Sequence, residues 1–149
     1  MDQPIRAAGN STPIACDMTT ARDTPEERMA EYDRLFARTF VGRERTSAGI
    51  RFRLRADEGV EAWVRDLAAR EKACCPFYDF SIATVGTEVH WDVRVVDDDT
   101  ARAVLDAFYD VPDTAAGGAH AMADRLTGLG FVITTDDTGT ATEVRPAPS

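Results

Sequence analysis

Two segments of the chain alternate strictly between apolar and polar residues. Residues 50–55 read IRFRLR, and residues 89–95 read VHWDVRV. Because successive side chains of a β-strand point to opposite faces of a sheet, each segment predicts a strand with one apolar and one polar face. Such a sheet has one face to bury, and helices packed on that face would cover it. The pattern therefore predicts an α+β fold, specifically a two-layer α/β sandwich.

Helix signals separate the predicted strands. Residues 13–18 alternate as a short first strand. Thr24 and Glu27 can form a capping box around Pro25, which predicts a helix that begins there and runs to about residue 40. A second helix follows the strand at 50–55 and must end before Pro76, because the residue before a proline is disfavoured in helical geometry.

The second half of the chain continues the same pattern. A hairpin is expected over residues 77–96 with its turn at Gly86, and Asp98 or Asp99 can cap a third helix. The predicted order is β-α-β-α-β-β-α, with an added C-terminal α-β(-β) unit, and residues 42–49 and 113–119 are expected to be connections. The predicted organisation is a flexible N-terminal segment at 1–12, a sandwich domain at 13–111, and a linker with the C-terminal α-β unit and a loose end at 112–149.

Charge excludes one class of partner. The chain carries 17 basic and 26 acidic side chains, a formal net charge of −9. Such a surface repels a phosphate backbone, so non-specific nucleic-acid binding is not expected. The sequence holds neither a run of about 20 apolar residues nor a signal peptide, which predicts no membrane partner and a cytoplasmic location.

The chain has three cysteines, Cys16, Cys74 and Cys75. An odd, low number without an export signal argues against a disulfide framework. Cys74 and Cys75 are adjacent, and their Cα atoms, about 3.8 Å apart, are too close for an unstrained disulfide between them. All three cysteines are therefore expected as reduced thiols.

Glu71 falls within the apolar stripe of the second predicted helix. It follows Leu67 by four residues and Val64 by seven, and Cys74 comes one turn later on the same face. An unpaired buried carboxylate is costly, so Glu71 should be paired, protonated or bound to a cation. Glu71 is thus the candidate catalytic residue, as a general base. The alternative is that it lies at the rim of the core and reaches solvent or an arginine.

The three cysteines are candidate metal ligands. Pro76 takes Cys75 out of helical geometry, so the side chains of Cys74 and Cys75 need not diverge, and Cys16 is expected on the inward face of the first strand. Clustered thiolates prefer thiophilic ions such as Cu(I), Zn(II), Hg(II) or As(III). A helix C-terminus disfavours a bare thiolate nucleophile. The alternative is that all three are small buried hydrophobic residues.

A resemblance rests on these same residues. The stretch Ile14-Ala15-Cys16 and the motif Glu71-x-x-Cys74-Cys75-Pro76-Phe77-x-x-Phe80 resemble those of a poorly characterised group of small bacterial proteins, common in actinobacteria, some of them linked to regulators of the mercury-resistance type. The likeness covers residues 13–111. It implies that Cys16, Glu71, Cys74 and Cys75 act together, and that the protein handles heavy metals.

Three functions remain open at this point. The first is binding of a soft metal or metalloid ion for sequestration, sensing or delivery. The second is an enzyme with Glu71 as general base and a cysteine as nucleophile or metal ligand, which a pocket lined by Glu71, Tyr78 and Trp91 would favour. The third is an interaction module that forms a homodimer or binds a regulator through the arginines at 51, 53, 55 and 94, although these arginines are expected to pair with nearby carboxylates.

Overall fold

A computed structural model describes residues 14–137 and 141–147 of the chain. Its elements in chain order are β1 (Cys16–Asp17), α1 (Pro25–Thr39), β2 (Phe40–Arg45), β3 (Ile50–Arg55), α2 (Val60–Cys74), β4 (Tyr78–Val85), β5 (Glu88–Val95), α3 (Asp99–Tyr109), α4 (Val111–Thr114), a 3-10 turn (Ala115–Gly117), α5 (Gly118–Gly128), β6 (Phe131–Thr135) and β7 (Ala141–Pro146). The expected flexible segment at 1–12 lies outside the described residues. No helix in the described part has the length and apolar character needed to cross a bilayer.

The main sheet follows from the alternating segments. It is antiparallel with strand order β2-β3-β5-β4, and Phe52 of β3 lies opposite Trp91 of β5. Both side chains are fully buried. On the other face Arg51 forms an ion pair with Asp92 at 2.6 Å. The helices and antiparallel sheets confirm the α+β class, and the order of elements agrees roughly with the prediction.

Helix α1 begins, and helix α2 ends, where the local signals place them. The Thr24 hydroxyl accepts a hydrogen bond from the Glu27 amide at 3.1 Å, and the Glu27 carboxylate accepts one from the Thr24 amide at 2.9 Å. This capping box satisfies two of the free amides at the start of α1. At the end of α2, the Cys75 amide still donates to the Glu71 carbonyl at 2.8 Å, and Pro76 follows.

Two expected connections are wrong. Within residues 42–49 the chain is still part of β2, which runs to Arg45 and pairs with β3 at the sheet edge. An edge strand buries few side chains, so its apolar alternation is weak. Within 113–119 the chain forms the end of α4, the 3-10 turn and the start of α5, and Ala115 is buried there.

A second, three-stranded sheet has the order β1-β7-β6. Cys16 pairs with Val144, so β1 joins the C-terminal strand instead of the main sheet. An ion pair between Arg125 and Asp110, at 2.7 Å, further joins α5 to the end of α3. The C-terminal unit is therefore packed against the rest of the chain, while the expected domain boundary at residue 111 stays a prediction.

Candidate functional site

A cavity of about 150 Å³ lies where β1, α1 and the end of α2 meet. All four residues singled out in the sequence line it: Cys16, Glu71, Cys74 and Cys75. Cys16 is carried there by the pairing of β1 with β7, and the other three by the last turn of α2 and the residue after it. The structure thus places Cys16, which precedes the main sheet in the sequence, beside three residues that lie between strands β3 and β4.

Cys16 and Cys75, which are 59 positions apart in the sequence, form a disulfide with their Cα atoms 4.4 Å apart. The expectation of three reduced thiols was therefore wrong for these two cysteines. Counting cysteines cannot reveal that β1 passes beside the end of α2. Cys75 has left helical geometry, with φ −127° and ψ 79°, as Pro76 requires. Cys74 remains a free, buried thiol.

Glu71 points inward, and one of its two carboxylate oxygens accepts two hydrogen bonds. Its Oε1 accepts hydrogen bonds from the Tyr32 hydroxyl at 2.8 Å and from Nη1 of Arg28 at 3.1 Å. Its Oε2 lies 3.4 Å from Sγ of Cys75. Burial raises the pKa of Tyr32, and the charge of Glu71 raises it further, so the hydroxyl stays protonated and can donate. The sequence left open whether this carboxylate is buried with a partner or lies at the rim of the core. The structure shows that it is mostly buried and paired with Arg28.

Arg28 is the buried cation of this site, with 3% of its surface exposed. Its Nε and Nη2 donate to Asp23 at 2.6 and 2.8 Å, and its Nη2 lies 3.8 Å from Sγ of Cys74. Burial lowers the pKa of Arg28, but the hydrogen bond to Asp23 and the charge of Glu71 raise it by more, so the guanidinium stays charged. The hydrogen bond from Arg28 in turn lowers the pKa of Asp23. Arg28 is therefore paired with two carboxylates, and one of them, Asp23, also pairs with Arg70 at 3.0 Å.

The free thiol of Cys74 is held in its protonated form. Burial raises its pKa, and the hydrogen bond and charge of Arg28 oppose that shift without cancelling it. This agrees with the expectation that the end of a helix does not favour a bare thiolate. Cys74 is therefore poorly suited to be a free nucleophile.

Arg28, Asp23 and the hydroxyl of Tyr32 were not among the site residues predicted from the sequence. A signal for Arg28 was present, because it precedes Tyr32 by four residues, and Tyr32 precedes Phe36 by four, so the arginine belongs to the buried stripe of α1. Asp23 precedes the helix and carries no comparable periodic signal. Its position becomes evident only when Arg28 is seen to be buried.

The chemical roles predicted for these residues remain predictions. Within residues 14–137 and 141–147, no group of three or more His, Cys, Asp or Glu side chains is arranged to hold a metal ion. In this state the sulfurs of Cys16 and Cys75 are bonded to each other, and only Cys74 is free. The assignments of Cys16, Cys74 and Cys75 as ligands and of Glu71 as general base therefore depend on the reduced state.

No protein-family model matches the chain, and searches with it find neither a similar curated protein nor a similar solved structure. The resemblance noted from the sequence motifs stays a prediction. The function must be argued from the chemistry of this cavity.

Proposed function

We propose that the reduced protein binds a soft metal or metalloid ion through Cys16 and Cys75, with Cys74 available as a third sulfur. The proposal rests on one observation: two sulfurs, from residues 59 positions apart, lie within bonding distance of each other at the wall of a cavity. Once the disulfide is reduced, the same backbone positions offer two neighbouring thiols. Paired thiolates are the ligands that thiophilic ions prefer.

Proton release is part of such binding, because a cysteine binds an ion as the thiolate. Glu71 is placed to accept the proton of Cys75, since its Oε2 lies 3.4 Å from that sulfur. The fixed charge of Arg28 lies 3.8 Å from Cys74 and would stabilise a thiolate there when an ion draws the proton away. These two contacts supply an acceptor for one proton and a counter-charge for one sulfur.

The proposal assumes a compartment that reduces the Cys16–Cys75 disulfide. The cytoplasm, expected from the sequence, keeps thiols reduced through its thiol buffers. In that setting the disulfide would form only under oxidising conditions and would block ion binding. Sequestration, sensing and delivery of the ion are all compatible with such a site.

The test uses the full chain reduced by a phosphine, which carries no competing sulfur. Hg(II), As(III), Zn(II) and Cu(I) are titrated separately under anaerobic conditions, and binding is followed by native mass spectrometry and by sulfur-to-metal absorption. We expect one ion per chain for at least one of these ions. Binding should be lost in Cys16→Ser and in Cys75→Ser, and in wild-type protein left oxidised. If the reduced protein binds none of the four stoichiometrically, the proposal is wrong.

A second candidate is an enzyme in which Glu71 takes the proton of Cys75 and the resulting thiolate forms a bond to an electrophilic carbon of a bound molecule. The bond from that carbon to a leaving group breaks, and the leaving group departs with the electron pair. The cavity favours it, because there is room beside the sulfurs and both Glu71 and Tyr78 line it. Trp91, also expected in such a pocket, instead packs in the core against Phe52. Alkylation of Cys75 in the reduced protein should slow in Glu71→Gln if this candidate is right, and an unchanged rate would exclude Glu71 as the base.

A further inference from the structure

The cavity extends well beyond the sulfur atoms. Its remaining wall comes largely from α1, α3 and α5, and the atoms it exposes are almost entirely carbon and sulfur. This apolar part includes Met29, Val104, Phe108, Met122 and Leu126. An inorganic ion held by cysteine sulfurs needs none of this volume.

The size of the cavity matches a small organic group. A dry apolar cavity of about 150 Å³ in a protein core can hold a benzene ring, and the cavity here has a volume of about 150 Å³. Two of the three charged residues that line the cavity lie beside the sulfurs, where Glu71 contacts Cys75 and Arg28 approaches Cys74. The third, Glu143, is paired with Arg145. A ligand with a thiol-reactive centre and an apolar substituent would therefore satisfy both parts of the cavity.

Resting on the proposed function, we propose that the ligand is a trivalent arsenical with one apolar organic substituent. Its arsenic would bind Cys16 and Cys75, and its organic group would fill the apolar part of the cavity. Trivalent arsenic forms three bonds, so two sulfurs and one carbon complete it. Cys74 is then not required as a ligand, unlike in the binding of inorganic arsenite, which can use three thiolates.

The binding reaction balances without any change in oxidation state. An organic arsenic(III) oxide, R–As=O, reacts with the two thiols, two S–H bonds and the arsenic–oxygen bond break, and two arsenic–sulfur bonds form. The two protons and the oxygen leave as water. Arsenic remains trivalent throughout, and the only prior step is the two-electron reduction of the disulfide by the phosphine.

The experiment compares phenylarsine oxide with methylarsine oxide on the phosphine-reduced full chain. Each affinity is measured by competition with the same free dithiol, so that the intrinsic arsenic–sulfur bond strengths cancel. Burial of a phenyl ring in place of a methyl group should favour the phenyl compound by at least about tenfold. Methionine, valine and leucine side chains around the ring would supply the contacts.

Variants of α5 test whether the cavity is responsible. Ala123 lines the cavity and is partly exposed, so Ala123→Phe should occupy the space and reduce the preference for phenyl to near one. Ala119→Phe is a second cavity-filling variant, should the first fold poorly. Ala121 lies on the same helix and does not line the cavity, so Ala121→Phe is the matched control that should keep the preference.

The outcomes separate this inference from the function on which it rests. The inference is wrong if the methyl and phenyl compounds bind wild-type protein equally, or if Ala123→Phe and Ala121→Phe show the same preference. Either result means that the cavity does not recognise the organic substituent, and it leaves the proposed ion binding intact. If Cys74→Ser abolishes binding of phenylarsine oxide, the assignment to two sulfurs is wrong. If neither arsenical nor arsenite binds the reduced chain, this inference and arsenic as the ion both fail, and the titrations with the other ions decide the broader function.

Discussion

Removal of the Cys16–Cys75 disulfide should lower the free energy of unfolding by about 4 kcal/mol. The bond closes a loop with a sequence separation of 59. In the chain-entropy description, a cross-link stabilises by restricting the unfolded chain, by about 3 kcal/mol for a loop of about 15 residues and about 4.7 for one of about 100. The loop here lies between these lengths, towards the longer one.

Cys16→Ser is the variant that isolates this effect best. Cys75 is 2% exposed, so a serine hydroxyl in its place would add the cost of a buried polar group. Cys16 is only partly buried, and a hydroxyl there can reach water. Cys74→Ala serves as the control, because it removes a cysteine from the same cavity, places no hydroxyl at this buried position and leaves the disulfide intact.

The assay is urea unfolding followed by fluorescence of the two tryptophans, with and without a phosphine reductant. For a urea dependence of about 2 kcal/mol per molar, a loss of about 4 kcal/mol moves the midpoint by roughly 2 M. Wild-type protein should show this shift on reduction, whereas Cys16→Ser should be insensitive to the reductant. Thiol titration in denaturant should give one thiol per oxidised chain and three after reduction. Three thiols before reduction, or an unchanged midpoint after it, would refute the reasoning.

Two further predictions concern the charges around the sulfurs. Asp23→Asn should cost about 1–3 kcal/mol at neutral pH because it removes a charged hydrogen-bond partner of Arg28. Since the pKa of Asp23 is lowered in the folded state, its contribution to the free energy of unfolding is present above about pH 4 and is lost as the pH falls below that value. Urea midpoints measured from pH 7 to pH 2 should therefore fall less in Asp23→Asn than in wild type. Asp97 is exposed, so Asp97→Asn is the control that should behave as wild type. Burial raises the pKa of Cys74, so iodoacetamide at pH 7 should alkylate this thiol much more slowly than it alkylates free cysteine. Unfolding in urea should remove the difference in rate. Equal rates for the folded protein and free cysteine would contradict the burial of this thiol.

The main sheet could be predicted because its signal is local. Residues 50–55 alternate apolar and polar side chains, and the structure buries each apolar one completely. The edge strand Phe40–Arg45 carries no such signal, since its burial alternates poorly and its pairing with β3 depends on backbone hydrogen bonds. Backbone pairing at an exposed edge leaves little trace in side-chain hydrophobicity.

The site was predictable only in part, for the same reason. Glu71, Cys74 and Cys75 lie within one helical turn and the residue after it, so their proximity follows from helix geometry. The place of Cys16 depends on the pairing of β1 with a strand near the other end of the chain. Sequence periodicity within β1 cannot indicate that partner, and it therefore could not reveal the disulfide.

The fixed charges of the cavity constrain which adducts it can hold. Arg28 is paired with Asp23 and Glu71, and Asp23 is also paired with Arg70, so fixed charges of both signs already lie beside the sulfurs before any thiol ionises. A buried site disfavours further net charge. Hg(II) bound by two thiolates displaces two protons, and so does a monosubstituted arsenic(III) bound by two thiolates. In both cases the positive charge of the bound group equals the number of protons displaced, so the net charge of the site does not change. Zn(II) held by three thiolates would add a negative charge in the same space, which favours the neutral adducts on electrostatic grounds.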